Sequence, residues 1–91
     1  MGSALDTNEV FGFNTDVSYR SSTYHVQTEN MADEASPTIN TLIYLKGTLV
    51  RKISSSYADL PPDERHSHAL EERVKQQHLA VLNRIKRGEF A

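Results

Sequence analysis

A chain of 91 residues has room for one domain with one hydrophobic core, and it is too short for two packed sheets around a deep substrate pocket. Its 10 basic and 12 acidic side chains give a formal net charge of −2, so no strong positive field draws it to nucleic acid or to an anionic membrane. The absence of cysteine excludes disulfides, thiolate nucleophiles and cysteine-ligated metal centres.

The first nine residues are small, polar or acidic and show no hydrophobic periodicity, so we expect residues 1–9 to form a flexible tail. They lack the basic region and the apolar stretch of a secretion signal. No run in the chain approaches the ~18 consecutive apolar residues of a membrane span. These absences predict a cytoplasmic protein without a membrane partner.

Two stretches alternate between apolar and polar residues, with the period of two that is typical of a half-buried strand. The first covers residues 10–19 and the second covers residues 23–29. The turn signal Arg20-Ser21-Ser22 between them predicts an antiparallel hairpin. In the second strand, alternation places Tyr24 on one face and His25 on the other.

Residues 38–45 form the most apolar stretch of the chain and follow a polar loop that ends at Pro37. Alternation places Ile43 on one face of this segment and places Leu42 and Tyr44 on the other. Because both faces carry large apolar side chains, the segment is predicted to be a central strand.

Lys46-Gly47 is the strongest turn signal in the chain, because glycine adopts the positive φ of a two-residue hairpin turn without a Cβ clash. Residues 48–55 are therefore predicted to return along the third strand as a fourth. The alternation of this fourth strand directs Leu49 and Ile53 toward the core.

A long helix is predicted to begin near residues 59–64, where prolines and carboxylates suit a first turn, and to continue to about Arg87. Gly88 is expected to end it in the left-handed conformation. At about 100° per residue, one apolar stripe of the helix faces the sheet. The stripe consists of Leu70, Val74, Val81 and Ile85, and the facing strand positions are Val17, Val26, Ile43 and Ile53.

The predicted architecture is an α+β fold, in which a four-stranded antiparallel sheet of two β-hairpins is packed by one long C-terminal helix. A single β-β-β-β-α domain is expected over residues 10–88, followed by a C-terminal tail over residues 89–91. Since one helix covers one face of the sheet, the other face and the two edge strands stay open.

Histidine and carboxylate side chains near the start of the helix are the nearest approach to a metal site. They are His66, His68, His78, Glu71 and Glu72. Their spacing is poor, because His66 and His68 would point about 200° apart on a helix. We therefore expect solvated histidines and no metal or other cofactor. A small metal-dependent or histidine-based enzyme that uses His25, His66 or His78 stays open as the rival hypothesis.

A basic cluster closes the helix and consists of Arg84, Lys86 and Arg87. Cations in the last turn of a helix interact favourably with its exposed carbonyl groups, which explains the cluster without a ligand. Weak nucleic-acid binding through these side chains is a second alternative. Nucleic acid is not the expected partner, because no basic sheet face accompanies the cluster.

The open surface of the sheet is the predicted binding site. Exposed aromatic and polar side chains on an outer face, or an exposed edge strand, are typical anchors for another protein. We expect a non-catalytic protein-interaction or adaptor module, whose partner is a different protein or a second copy of the chain as a homodimer. The predicted contact residues are Tyr24, His25, Gln27, Leu42 and Tyr44.

Several segments also carry a family resemblance. They are Phe13-Asn14-Thr15-Asp16-Val17, residues 23–29, 39–44 and 56–60, and Gln76-Gln77-His78. Over most of residues 11–87 the chain resembles short bacterial proteins without an assigned function, which share a Tyr/Phe-His-Val-Gln-Thr-Glu strand and a late Gln-Gln-His helix. The resemblance implies no enzymatic activity. It implies an adaptor role in bacterial signalling or surface motility, beside a regulator of a small GTPase.

Overall fold

The computed structural model describes residues 10–32, 36–65 and 67–90, which form one antiparallel sheet and one α-helix. The elements are β1 (Gly12–Tyr19), β2 (Ser22–Met31), β3 (Thr38–Leu45), β4 (Thr48–Ser56) and α1 (His68–Lys86). The four strands lie side by side in chain order, and every neighbouring pair is antiparallel. This arrangement confirms the predicted α+β fold. The predicted tail of residues 1–9 lies outside the described part of the chain.

Both hairpins close with two-residue turns. Lys46 and Gly47 have φ values of 54° and 80°, and this pair of positive φ angles matches the twist of the flanking strands. In the first hairpin, Arg20 has a φ of 58° and β2 begins at Ser22, so the turn is one residue shorter than the sequence suggests. Tyr19 therefore pairs with Ser22, and this pair sets the register of β1 against β2.

A β-bulge in β4 changes which side chains face the core. Ile43 pairs with Arg51 while Tyr44 pairs with Leu49, so Val50 is an extra residue in β4. The bulge reverses the alternation toward the start of the strand. The prediction that Leu49 faces the core is therefore wrong, and Leu49 is 48% exposed. Ile53 lies beyond the bulge and packs against the core as predicted.

The helix begins later than its first-turn residues suggest. Pro62–Glu64 forms a short 3-10 helix, and α1 starts after Ser67, whose Oγ accepts a hydrogen bond from the amide of Ala69. Gly88 ends the helix with a φ of 78°, as predicted, and its amide donates to the carbonyl of Ile85. Within the described residues, no helix combines the length and the hydrophobicity needed to cross a membrane.

The core lies between α1 and the inner face of the sheet, and the helix packs most closely on β1, β2 and β3. The predicted helix stripe and the predicted strand positions all contribute to it. Phe90, assigned by sequence to a C-terminal tail, packs back against this core. The buried apolar residues form two clusters. One contains Val17, Tyr24, Val26, Ile43, Val81, Leu82 and Ile85, and the other contains Ile39, Tyr57, Leu70 and Val74.

Candidate functional site: the outer sheet face

The face of the sheet opposite α1, here called the outer face, carries rows of side chains that run across the strands, and two of these rows form the candidate site. Antiparallel partners point to the same side of a sheet, so the register defines each row. The first row crosses from β1 to β4 as Asp16, His25, Tyr44 and Leu49. The second row crosses from β1 to β4 as Asn14, Gln27, Leu42 and Lys52.

A hydrogen bond joins the first two members of the first row. Nδ1 of His25 lies 2.8 Å from Oδ1 of Asp16, and both side chains are exposed. The carboxylate accepts a hydrogen bond from Nδ1–H, so Nε2 of the imidazole points away from Asp16. The ring of Tyr44 follows on the other side, with its centroid 6.2 Å from that of His25. The row therefore combines an acid, an imidazole and a phenol on one accessible surface.

A shallow depression of about 380 Å³ lies over this row at the end of the sheet that carries both hairpin turns. Polar and aromatic side chains line it, with Lys46 at one side and Asp16 at the other. The remaining lining residues are Thr23, His25, Gln27, Tyr44 and Gly47. A depression this open suits a protruding side chain of a partner protein better than an enclosed substrate.

Four of the five predicted contact residues lie together on the outer face. His25 is exposed, and Gln27, Leu42 and Tyr44 are half-buried beside it. The prediction that Tyr24 is an exposed anchor is wrong, because its side chain is 4% exposed and packs in the core. Strand alternation puts Tyr24 on the opposite side from His25, so the two residues cannot share the outer face.

Sequence reasoning missed Asp16 and Lys46, which complete the depression. A turn of two residues at Arg20-Ser21 pairs residue 16 with residue 25, so the hydrogen bond between Asp16 and His25 follows once the turn length is known. Lys46 sits in the second turn, next to the same row.

His78 lies on the other side of the sheet, inside the core. Its side chain is 3% exposed, which contradicts the prediction of a solvated histidine. Nε2 lies 2.8 Å from Oγ1 of Thr15 and Nδ1 lies 2.8 Å from Oγ1 of Thr28. Burial lowers the pKa of His78 below its ordinary value, because the charged imidazolium loses its hydration there.

A row of hydroxyl groups extends this contact across the sheet. The side-chain amide of Gln77 donates to Oγ1 of Thr41 at 3.0 Å, and Thr41 Oγ1 lies 2.8 Å from Thr28 Oγ1. If each hydroxyl accepts one hydrogen bond and donates one, Thr41 donates to Thr28, and Thr28 donates to Nδ1 of His78. Nε2 then carries the proton and donates to Thr15. These polar groups are all paired, so the histidine has a structural explanation that needs no ligand.

The other histidines that the structure describes, His25 and His68, do not form a metal site with His78. His68 is exposed at the start of α1, where its ring nitrogens lie 3.6 Å from Glu71 and 3.7 Å from Glu72. His66 lies outside the described residues. Among the residues that the structure describes, no three histidine, aspartate or glutamate side chains converge on one point.

Two of the three side chains in the basic cluster at the end of α1 contact other residues of the same chain. Arg84 and Arg87 each contact the carboxylate of Glu89 at 2.9 Å. Arg84 also lies over the ring of Phe90, which Arg51 approaches as well. These contacts hold the C-terminal residues against the sheet, so the cluster has a structural role in the fold.

Comparison with known proteins gives no match, whether to a family, to a curated sequence or to a solved structure. The function is therefore inferred from the geometry of the chain.

Proposed function

We propose that the protein is a non-catalytic recognition or adaptor module, which takes no cofactor and binds a protein partner through the outer face of the sheet. One observation carries this proposal. The helix covers the inner face only, and the outer face gathers His25, Gln27, Leu42 and Tyr44 around an accessible depression. Aromatic side chains and half-buried apolar side chains ringed by polar groups are typical of protein interfaces.

The strand β4 supports the same proposal from the edge of the sheet. All of its residues except Ile53 are exposed, including the apolar side chains of Leu49 and Val50. An exposed edge strand offers backbone groups to a partner segment, which is the second route indicated by the sequence. The resemblance to short bacterial proteins extends the proposal to the regulation of bacterial signalling or motility in the cytoplasm.

Two exposed leucines allow a matched test. Leu49 lies on the outer face and is 48% exposed, whereas Leu79 lies on α1 and is 42% exposed. We expect Leu49→Asp to remove partner proteins that wild type captures from native-cell lysate, because a carboxylate would be desolvated in the interface. Leu79→Asp should capture the same proteins as wild type.

Quantitative comparison of the captured proteins gives the measurement, and circular dichroism confirms that both variants are folded. The same set of proteins on wild type and on both variants would contradict the proposed binding face.

A further inference from the structure

Given the proposed function, we infer that the outer face binds a second copy of the same chain, in a two-fold dimer that packs face to face. The inference starts from the distribution of charge. The acidic side chains Asp16 and Glu29 lie on β1 and β2, whereas Lys52 lies on β4 and Lys46 lies in the turn before it. All four are exposed. Arg20, in the turn between β1 and β2, lies over the ring of Tyr19, which packs on the core side of the sheet. The outer face therefore has an acidic half and a basic half.

This division of charge selects one dimer axis. A two-fold axis parallel to the strands, between β2 and β3, places β1 of one copy over β4 of the other. Each acidic half then lies over the partner's basic half, and the interface is self-complementary. A two-fold axis perpendicular to the strands, in the plane of the interface, would instead place β1 over β1 and acid over acid. Pairing of two β4 edges is also disfavoured, because it brings Arg51 and Lys52 close to their own copies.

The same axis brings complementary groups together at the centre. His25 on β2 and Tyr44 on β3 are opposite each other in the first row. His25 of one copy therefore lies over Tyr44 of the other copy, and Tyr44 of the first lies over His25 of the second. Leu42 and Gln27 exchange in the same way in the second row. Half-buried Leu42 and Tyr44 thereby gain cover from the partner.

The available area predicts a weak dimer. Strands of 8 to 10 residues are about 26 Å long, and four strands span about 19 Å, which gives on the order of 500 Å² for each partner. The total of about 1,000 Å² is near the lower limit for a specific interface. We therefore expect dimerisation that depends on protein concentration and weakens with added salt, because exposed charges are screened.

A charge-exchange experiment tests the inference. One variant carries Asp16→Lys and Glu29→Lys, and the other carries Lys46→Glu and Lys52→Glu. Each variant alone should have a dimer dissociation constant at least about tenfold higher than wild type, since every reversal acts twice across the axis. An equimolar mixture should dimerise again, because one face is then basic and the other acidic. Sedimentation velocity at about 10 to 500 µM protein and low salt measures all three samples.

The control variant carries Lys75→Glu and Lys86→Glu on exposed positions of α1, which gives the same change in net charge as the second variant. It should dimerise like wild type. A wild-type chain that is monomeric throughout this range, or a mixture that fails to associate, overturns the inference. Such a result leaves the proposed function intact if Leu49→Asp still removes a captured protein, because the occupant of the face is then a different protein.

Discussion

His78 occupies the boundary between the two apolar clusters of the core. It lies four residues after Val74 and four residues before Leu82, and both of these neighbours are buried. A polar residue in the middle of a buried stripe is itself buried, and the inward-facing threonines of β1 and β2 supply its partners. The sequence contained this signal in the helical spacing. The prediction of a solvated His78 is wrong because the sheet supplies partners for the imidazole, and helical spacing alone does not show them.

The burial of His78 predicts a dependence of stability on pH. Its pKa is lower in the folded chain than the ordinary value of 6.5, so the unfolded chain binds the proton more readily. The contribution of the neutral His78 side chain to the free energy of unfolding should be fully present above pH ~6.5. The free energy of unfolding should fall as the pH is lowered below that value, by at most about 1.4 kcal/mol per pH unit. Urea denaturation between about pH 7.5 and pH 5.5 measures the free energy of unfolding.

One substitution separates this effect from other titrations. His78→Gln should flatten the pH dependence, because it removes the buried imidazole. Equal pH dependence in wild type and in His78→Gln would show that His78 is not responsible.

At the level of elements, the end of α1 depends on the close approach of Gly88 to β1. Gly88 has a φ of 78°, and a Cβ atom at this position would lie 2.5 Å from Oη of Tyr19 and 2.7 Å from its Cζ. We expect Gly88→Ala to lower the free energy of unfolding by about 1 to 3 kcal/mol, through backbone strain and the clash together. Thermal and urea unfolding measure the loss.

Gly47 provides the matched control. It has a φ of 80°, but a Cβ atom there would have no neighbour within 4 Å. Gly47→Ala should therefore cost only the backbone strain, about 1 kcal/mol. If Gly88→Ala is no more destabilising than Gly47→Ala, the ring of Tyr19 moves aside and does not restrict this position.

The elements show which features a sequence pattern can predict. Alternation predicted the hairpins, and the apolar stripe predicted the helix face, because both patterns record burial over many residues. The bulge at Val50 was not predictable, since one inserted residue leaves the composition of β4 unchanged while it reverses the direction of Leu49. The hydrogen bond between Asp16 and His25 was not predictable for a related reason. It depends on the length of a turn, and a difference of one residue there moves every cross-strand pair.

At the scale of the whole molecule, the helix covers one face of the four-stranded sheet and leaves the other face open. The inner face holds the core and its row of hydroxyl groups, which together account for the buried polar side chains described above. The outer face is not needed to close that core, yet it carries half-buried Leu42 and Tyr44 between an acidic half and a basic half. We propose that this face is the binding surface.

Site-specific photo-cross-linking in the native cell tests that claim most directly. A photoreactive amino acid placed at position 49 samples the outer face, and the same amino acid at position 79 samples the exposed side of α1 with similar accessibility. We predict cross-links to a protein, either a second copy or another chain, from position 49 and not from position 79. Cross-links from position 79 alone, or equal cross-links from both positions, would contradict the claim.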